Sequence, residues 1–108
     1  MAVITLTAGL RTLTVPISVS PAGQSWSALV YLSSDAEGNT VAATGTEKVT
    51  TSTGSVYNID LPVSVPIGGS YHTWVVVYIN GAYWGTYSQT NTVVVITVTG
   101  SGGIITWD

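Results

Sequence analysis

His72 is the only histidine in the sequence and the first residue to consider for chemistry. Hydrolysis by a Ser-His-Asp arrangement needs a base held between a nucleophile and an orienting acid. Strand alternation places His72 on an outward face beside Trp74, and the sequence contains no Gly-x-Ser-x-Gly turn for a nucleophile. We therefore expect no catalytic residue and no enzyme activity.

The carboxylates do not suggest a shared cleft of the kind that glycoside hydrolysis needs. They are Asp35, Glu37, Glu47, Asp60 and Asp108. Residues 35–39 weakly resemble the first half of a calcium loop, but the terminal bidentate glutamate is absent, and turn chemistry explains the segment without a metal. No glycine-rich phosphate loop precedes a helix. We expect neither a metal site nor a cofactor.

Composition limits the kind of protein further. The chain has 108 residues, 45% of them hydrophobic, and no cysteine, which fits one domain with its own core and no disulfide or thiolate–metal framework. Two basic against five acidic residues give a net charge of −3, which disfavours binding to nucleic acid phosphates. The longest apolar run covers residues 74–79, too short to cross a bilayer, so we expect no membrane insertion.

The elements that position these residues are predicted to be strands. Seventeen threonines and sixteen valines favour pleated surfaces, and period-2 alternation recurs along the chain. Asn80-Gly81 lies between strand-like residues and predicts a two-residue type I′ hairpin, because both turn positions need a positive φ. Seven strand segments with turns near every ten residues predict an all-β, seven-stranded antiparallel sandwich.

The second half of the chain resembles a known group of domains. Residues 69–77, the Asn80-Gly81 turn, and Thr90-Asn91-Thr92 before a final Val/Thr strand are similar to the last two strands of fibronectin type III and bacterial CARDB-type domains. The resemblance implies an immunoglobulin-like β-sandwich, in which Tyr71 lies in the core and its hydroxyl bonds back to the preceding loop. The inter-sheet cysteines of antibody domains are absent.

The hairpin register predicts which side chains share a face. Pairing Ile79 with Ala82 and continuing without interruption places a set of large side chains on the outer face, and the tyrosine resemblance puts the opposite face in the core. The predicted binding surface consists of Tyr31, Trp74, Val76, Tyr78, Tyr83 and Tyr87.

Three interpretations of this surface stay open. An exposed aromatic patch is typical of an interaction site. Alternatively, the chain's own loops cover it, or it only adds cross-strand pairing energy. If the register is displaced by one residue, the exposed set becomes Val75, Val77, Ile79 and Trp84.

The C-terminus is predicted to lie outside the domain. Residues 1–99 form the sandwich, and residues 100–108 form a flexible Gly/Ser linker with a short apolar tail. Ile104, Ile105 and Trp107 could dock on a neighbouring molecule by strand addition, or the tail could extend the last strand past a bulge.

These features predict a non-catalytic assembly protein that binds a protein partner, either by self-association or on a larger particle. No secretory signal is visible at the N-terminus, and a lone immunoglobulin-like domain of this kind is familiar among phage virion proteins, so the resemblance implies a capsid decoration or tail component located in the virion. The alternative is a carbohydrate-binding or adhesion module, extracellular or at the cell surface, whose exposed rings stack on sugars.

Overall fold

The computed structural model describes residues 3–88, 94–99 and 102–107, and the side chains of residues 3–88. Every regular element in these residues is a strand, so the chain is all-β, as the composition predicts. The strands are β1 (Val3–Leu6), β2 (Gly9–Ser20), β3 (Ser25–Ser33), β4 (Val41–Thr44), β5 (Lys48–Thr51), β6 (Val56–Val65), β7 (Gly69–Ile79), β8 (Ala82–Ser88), β9 (Val94–Thr99) and β10 (Gly102–Trp107).

The strands form two sheets. In the larger sheet, β7 lies beside β3; β1 and β8 pair with the far edge of β7, and β4 and β5 pair with the far edge of β3. The smaller sheet has the order β10-β9-β2-β6. Since β7 and β3 are the two central strands of the larger sheet, their outward side chains lie at the middle of one broad surface.

One hydrophobic core joins the two sheets, which gives a sandwich-like arrangement. Alternate residues of β2 and β6 contribute Val15, Ile17, Val19, Ile59, Leu61, Val63 and Val65, and alternate residues of β3 and β7 contribute Trp26, Ala28, Val30, Leu32, Tyr71, Val75, Val77 and Ile79. Each set repeats with the period of two that strand geometry imposes. Burial of these apolar side chains is the main favourable contribution to folding.

Tyr71 lies where the resemblance implies. It is 7% exposed at the start of β7, and its hydroxyl donates a hydrogen bond to the carbonyl oxygen of Ile67 in the preceding turn. The bond satisfies a phenol oxygen that would otherwise be costly to bury. Tyr71 therefore ties the turn at residues 66–68 to the core.

Two parts of the predicted architecture are wrong. The described residues contain ten strands rather than seven. The weak strand signal between Thr40 and Thr50 resolves into β4 and β5, the last predicted strand divides into β8 and β9, and residues 102–107 add β10. The sheets are also not wholly antiparallel, since β2 runs parallel to β9 over Ile17–Ser20. Strand partners far apart in sequence leave no local signal, so alternation alone could not reveal this pairing.

The C-terminal segment also differs from its prediction as a linker and tail. Residues 102–107 form β10, which turns back and pairs antiparallel with β9, so that Gly103 lies opposite Val98 and Ile105 opposite Ile96. This segment neither remains a flexible linker nor extends β9 in the same direction. Residues 100, 101 and 108 lie outside the described residues, as does the Thr90-Asn91-Thr92 part of the resemblance.

Candidate binding face

The Asn80-Gly81 turn has the predicted conformation. Asn80 has a φ of 51° and Gly81 a φ of 80°, which are the two positive values that a type I′ turn requires. Ile79 pairs with Ala82 and Tyr78 with Tyr83, as the hairpin register predicts. The backbone N–H of Asn80 also donates to the Ser25 carbonyl at 2.7 Å, which joins the turn to β3.

A β-bulge then shifts the register of β8 by one residue. Val77 pairs with Gly85 instead of Trp84, and Val75 pairs with Tyr87. Trp84 and Tyr87 both pack against the core. The prediction that Tyr87 belongs to the outer face is therefore wrong, because the extra residue at the bulge reverses the face of every later side chain.

Four aromatic side chains remain on the outer side of the larger sheet. Tyr31, Trp74, Tyr78 and Tyr83 form what we call the aromatic face. Val75 and Val77 are fully buried on the opposite side, so the alternative register that would expose them is wrong. The structure thus brings together four of the rings that the sequence assigns to this surface.

Tyr31 and Trp74 are cross-strand partners whose rings stack. Their centroids are 6.0 Å apart and the ring planes differ by 9°. The indole Nε1 of Trp74 donates to the Ser33 hydroxyl at 2.9 Å, and that hydroxyl donates to the Asp35 carbonyl at 2.7 Å. Such a chain of hydrogen bonds fixes the orientation of a large side chain.

The loop formed by residues 34–40 lies against Trp74. Gly38 has a φ of +77°, and a Cβ at this position would be 2.8 Å from Cε2 of the indole. The Asp35 carboxylate accepts backbone N–H bonds from Asn39 at 3.0 Å and Thr40 at 2.8 Å, which closes the loop. The chain's own loop therefore covers part of Trp74, as one alternative interpretation expects, and no metal is needed to explain the segment.

These backbone bonds also determine the charge of Asp35. Hydrogen bonds from Thr40 and then Asn39 stabilise the carboxylate form and lower the pKa of Asp35 from its ordinary value of 3.8. The pKa of the neighbouring Tyr31 is raised, first by desolvation and then by the nearby Tyr83 and Asp35. At neutral pH this end of the face therefore carries a negative carboxylate beside a neutral phenol.

Tyr78 and Tyr83 occupy the other end of the face. They are cross-strand partners with ring centroids 6.0 Å apart and an interplanar angle of 73°, an edge-to-face arrangement. Tyr83 is 61% exposed, and its hydroxyl lies 2.8 Å from the Thr86 hydroxyl. Tyr83 therefore presents the most accessible ring of the four.

Val76 differs from the other predicted surface residues. It lies between Trp74 and Tyr78 along β7 and opposite Leu29 on β3, but only 8% of it is exposed. Val76 therefore forms the floor of the aromatic face and cannot contribute a large contact area. Leu29 also lies on the floor of the aromatic face, and sequence reasoning missed it. The signal was available, because Leu29 alternates with the core residues of β3 and lies two residues before Tyr31.

Acidic side chains border the aromatic face. Ser27 lies opposite Tyr78, and its hydroxyl donates a hydrogen bond to the Glu47 carboxylate, which places that carboxylate on the outer side of the sheet. Glu37 lies in the loop against Trp74. Lys48 pairs with the buried Ala28, so its side chain leaves β5 toward the opposite side. Nothing in the sequence around Glu47 indicated its position beside the face.

The other candidate chemistry remains dispersed. His72 lies on the outer side of β7 opposite Ser33, and within residues 3–88 its Nδ1 is buried without a hydrogen-bond partner. The described residues contain no group of three histidine or acidic side chains that could hold a metal ion, and no cavity. They also contain no helix long and apolar enough to span a membrane.

The residues of the predicted docking tail lie in β10. Ile104, Ile105 and Trp107 lie in β10, opposite Thr97, Ile96 and Val94 of β9. Their side chains lie outside the described part of the chain. The tail thus has one of its backbone edges paired within the molecule.

Comparisons with known proteins give no family for this chain: no protein-family model, no curated protein and no solved structure matches it.

Proposed function

We propose that this chain is a non-catalytic assembly protein with an immunoglobulin-like fold, which binds a protein partner through the aromatic face. The observation that carries the proposal is the clustering of Tyr31, Trp74, Tyr78 and Tyr83 on the two central strands and β8 of the larger sheet. Tyrosine and tryptophan are enriched at protein interfaces because they offer large contact areas and a polar group at low entropic cost.

The shape of the surface favours a protein over a small molecule. Small ligands are usually held in concave pockets, and the described residues form none. The aromatic face lies instead on a sheet, and the Trp74 indole is held in place by Tyr31, Ser33 and the loop at Gly38. A surface with rings ordered in advance loses less side-chain entropy on binding.

The arrangement of the rings disfavours the carbohydrate-binding alternative. Stacking on a sugar needs an open ring face, whereas Tyr31 and Trp74 stack on each other and Gly38 lies against the indole. Tyr78 and Tyr83 meet at 73°, so the two rings do not form a flat platform. A glycan array with no signal agrees with the protein-binding proposal, and saturable binding that depends on Tyr83 would favour the alternative.

The strand pairing of the C-terminal segment favours the aromatic face, rather than this segment, as the contact with the partner. β10 already pairs with β9 along one edge, which leaves a single edge for strand addition. On the aromatic face, by contrast, the Tyr83 side chain is already 61% exposed to a partner. We therefore assign the partner contact to the aromatic face.

The virion is the setting that we propose for this activity. The resemblance of residues 69–81 to fibronectin type III and CARDB-type domains supports it, together with the buried Tyr71 and its bond to Ile67. An immunoglobulin-like domain that coats or extends a particle needs a stable fold and a contact surface, and it needs no catalytic group.

Incorporation into particles tests the proposal. Particles produced by the genome that encodes this chain are purified, and the chain is quantified in them by mass spectrometry. We expect Tyr83→Ser to reduce incorporation at least about tenfold, as loss of an interface aromatic does. Leu10→Ser is the control, because Leu10 is 68% exposed on β2 of the other sheet. Absence of the chain from particles, or equal losses for both variants, would contradict the proposal.

A further inference from the structure

The charges around the aromatic face indicate the chemistry of its partner. Asp35 and Glu37 lie in the loop that covers part of Trp74, and the Glu47 carboxylate accepts a bond from Ser27, which lies opposite Tyr78. Three of the five acidic residues of the chain therefore lie in the two loops beside this surface, and hydrogen bonds fix the carboxylates of Asp35 and Glu47 there. The backbone bonds from Thr40 and then Asn39 lower the pKa of Asp35 and so favour its ionised form.

The two basic residues of the chain lie elsewhere. Arg11 is at the start of β2 in the smaller sheet, where its guanidinium donates to the carbonyl oxygens of Thr7 at 3.0 Å and Ala8 at 2.8 Å. Lys48 leaves β5 on the side of the sheet opposite to the aromatic face. No lysine or arginine of the described residues therefore neutralises the acidic border.

We infer that the aromatic face docks a basic partner surface, in which lysine or arginine side chains meet the acidic border and apolar groups cover Tyr83 and Tyr78. This inference rests on the proposed function and adds the chemical class of the partner. Arginine suits the position because its guanidinium pairs with carboxylates and also packs on aromatic rings. Complementary charges at an interface rim chiefly raise the association rate and select the partner.

The same charges disfavour a second copy of this chain as the partner. A two-fold dimer would place the aromatic face against itself, because such an interface uses the same patch on both subunits. Each acidic border would then meet acidic and neutral groups only, and juxtaposed like charges oppose association. The face is therefore suited to a different protein.

A peptide titration followed by ¹⁵N NMR tests the inference. The probe is (Arg-Gly-Tyr)₄, and the control probe is (Glu-Gly-Tyr)₄, which has the opposite charge and the same aromatic content. We expect the basic peptide to shift the resonances of Tyr31, Trp74 and Tyr83, and to do so less at higher salt. We expect the acidic peptide to leave those resonances unchanged.

Charge-removing variants locate the effect on the protein. The double variant with Glu37→Gln and Glu47→Gln should bind the basic peptide more weakly, by about two- to fivefold for each charge removed. Asp60→Asn is the matched control, because Asp60 likewise accepts a hydroxyl hydrogen bond, from Thr14 at 2.6 Å, but lies on the other sheet. It should leave the affinity unchanged. Asp35 is left intact because its carboxylate closes the loop.

Three results of the peptide experiments would overturn the inference. The first is equal binding of both peptides, the second is equal loss in Asp60→Asn and in the Glu37/Glu47 variant, and the third is no shift at the aromatic face with the basic peptide. In each case the particle experiment with Tyr83→Ser still decides the proposed function independently. A dimer formed through the aromatic face, detected by light scattering, would likewise reject a basic partner while keeping assembly through this face.

Discussion

Trp74 is the residue on which the geometry of the aromatic face depends, because three neighbours fix it. Tyr31 stacks on its ring, Ser33 accepts its indole N–H, and Gly38 lies against the indole. Strand alternation predicted the outward direction of Trp74, but not which loop covers part of it. That contact joins residues 36 positions apart in sequence, and no local pattern encodes it.

Replacing Gly38 by alanine tests this contact. A methyl group at Gly38 would overlap the indole, so the variant must displace Trp74 or the loop at a cost of about 1–3 kcal/mol, in addition to about 1–2 kcal/mol for the positive φ. Gly23→Ala is the matched control, because Gly23 also has a positive φ of +88° but nothing lies within 4 Å of its Cβ position. Urea unfolding measures the free energy of unfolding of both variants. Equal losses of stability would show that Gly38 does not press on Trp74.

Asp35 gives the stability a specific dependence on pH. Its folded-state pKa lies below the ordinary value of 3.8, so the ionised carboxylate contributes stability that is fully present above that value. This contribution is lost as the pH falls through the lower, folded-state pKa. Thermal unfolding of Asp35→Asn between about pH 5 and 2 should therefore show a shallower fall in Tm than the parent chain. Parallel curves for the two proteins would contradict this role of Asp35.

At the scale of elements, the bulge in β8 decides which tyrosine belongs to the aromatic face. The turn fixed Tyr83 opposite Tyr78 as predicted, since Asn-Gly specifies the first pairs of a hairpin. Tyr87 lies beyond the bulge and points to the core instead. Gly85 was the available signal, because a glycine inside a strand often marks a bulge.

A double-mutant cycle tests why β8 has a glycine at position 85. A Cβ there would overlap the Tyr87 ring, so Gly85→Ala should cost about 1–3 kcal/mol. The added cost should disappear in a Tyr87→Ala background, which gives a coupling energy within the range of about 0.5–3 kcal/mol for residues in contact. Gly69→Ala serves as the control, since its nearest neighbour lies at 4.0 Å. Additive effects of Gly85→Ala and Tyr87→Ala would show that the ring does not occupy this space.

At the scale of the whole molecule, the core-facing residues of the long strands were predictable, and the pairing of strands distant in sequence was not. Trp26, Ala28, Val30 and Leu32 lie in the core as alternation predicts, because side-chain direction is a local property of a strand. The parallel pairing of β2 with β9 joins Ile17 to Val94, 77 positions later, and β10 pairs antiparallel with β9. Such pairings are selected by the packing of the complete chain.

The distribution of charge is likewise a property of the whole molecule. Asp35, Glu37 and Glu47 come from two loops of the larger sheet, and only folding places them around one surface. The composition indicated an acidic chain with a net charge of −3, without indicating that one face is acidic. The proposed partner chemistry therefore depends on the fold, whereas the expectation that the chain does not bind nucleic acid depends on composition alone.

Nitration of tyrosine in the free and the assembled protein tests most directly whether the aromatic face is the contact. Tetranitromethane modifies exposed tyrosines, and mass spectrometry gives the modified fraction of Tyr83 and of Tyr57, both exposed in the isolated chain. We expect Tyr83 to be nitrated in the free chain and protected in the purified particle, while Tyr57 reacts equally in both. Equal nitration of Tyr83 in the free and the assembled states would contradict docking through this face.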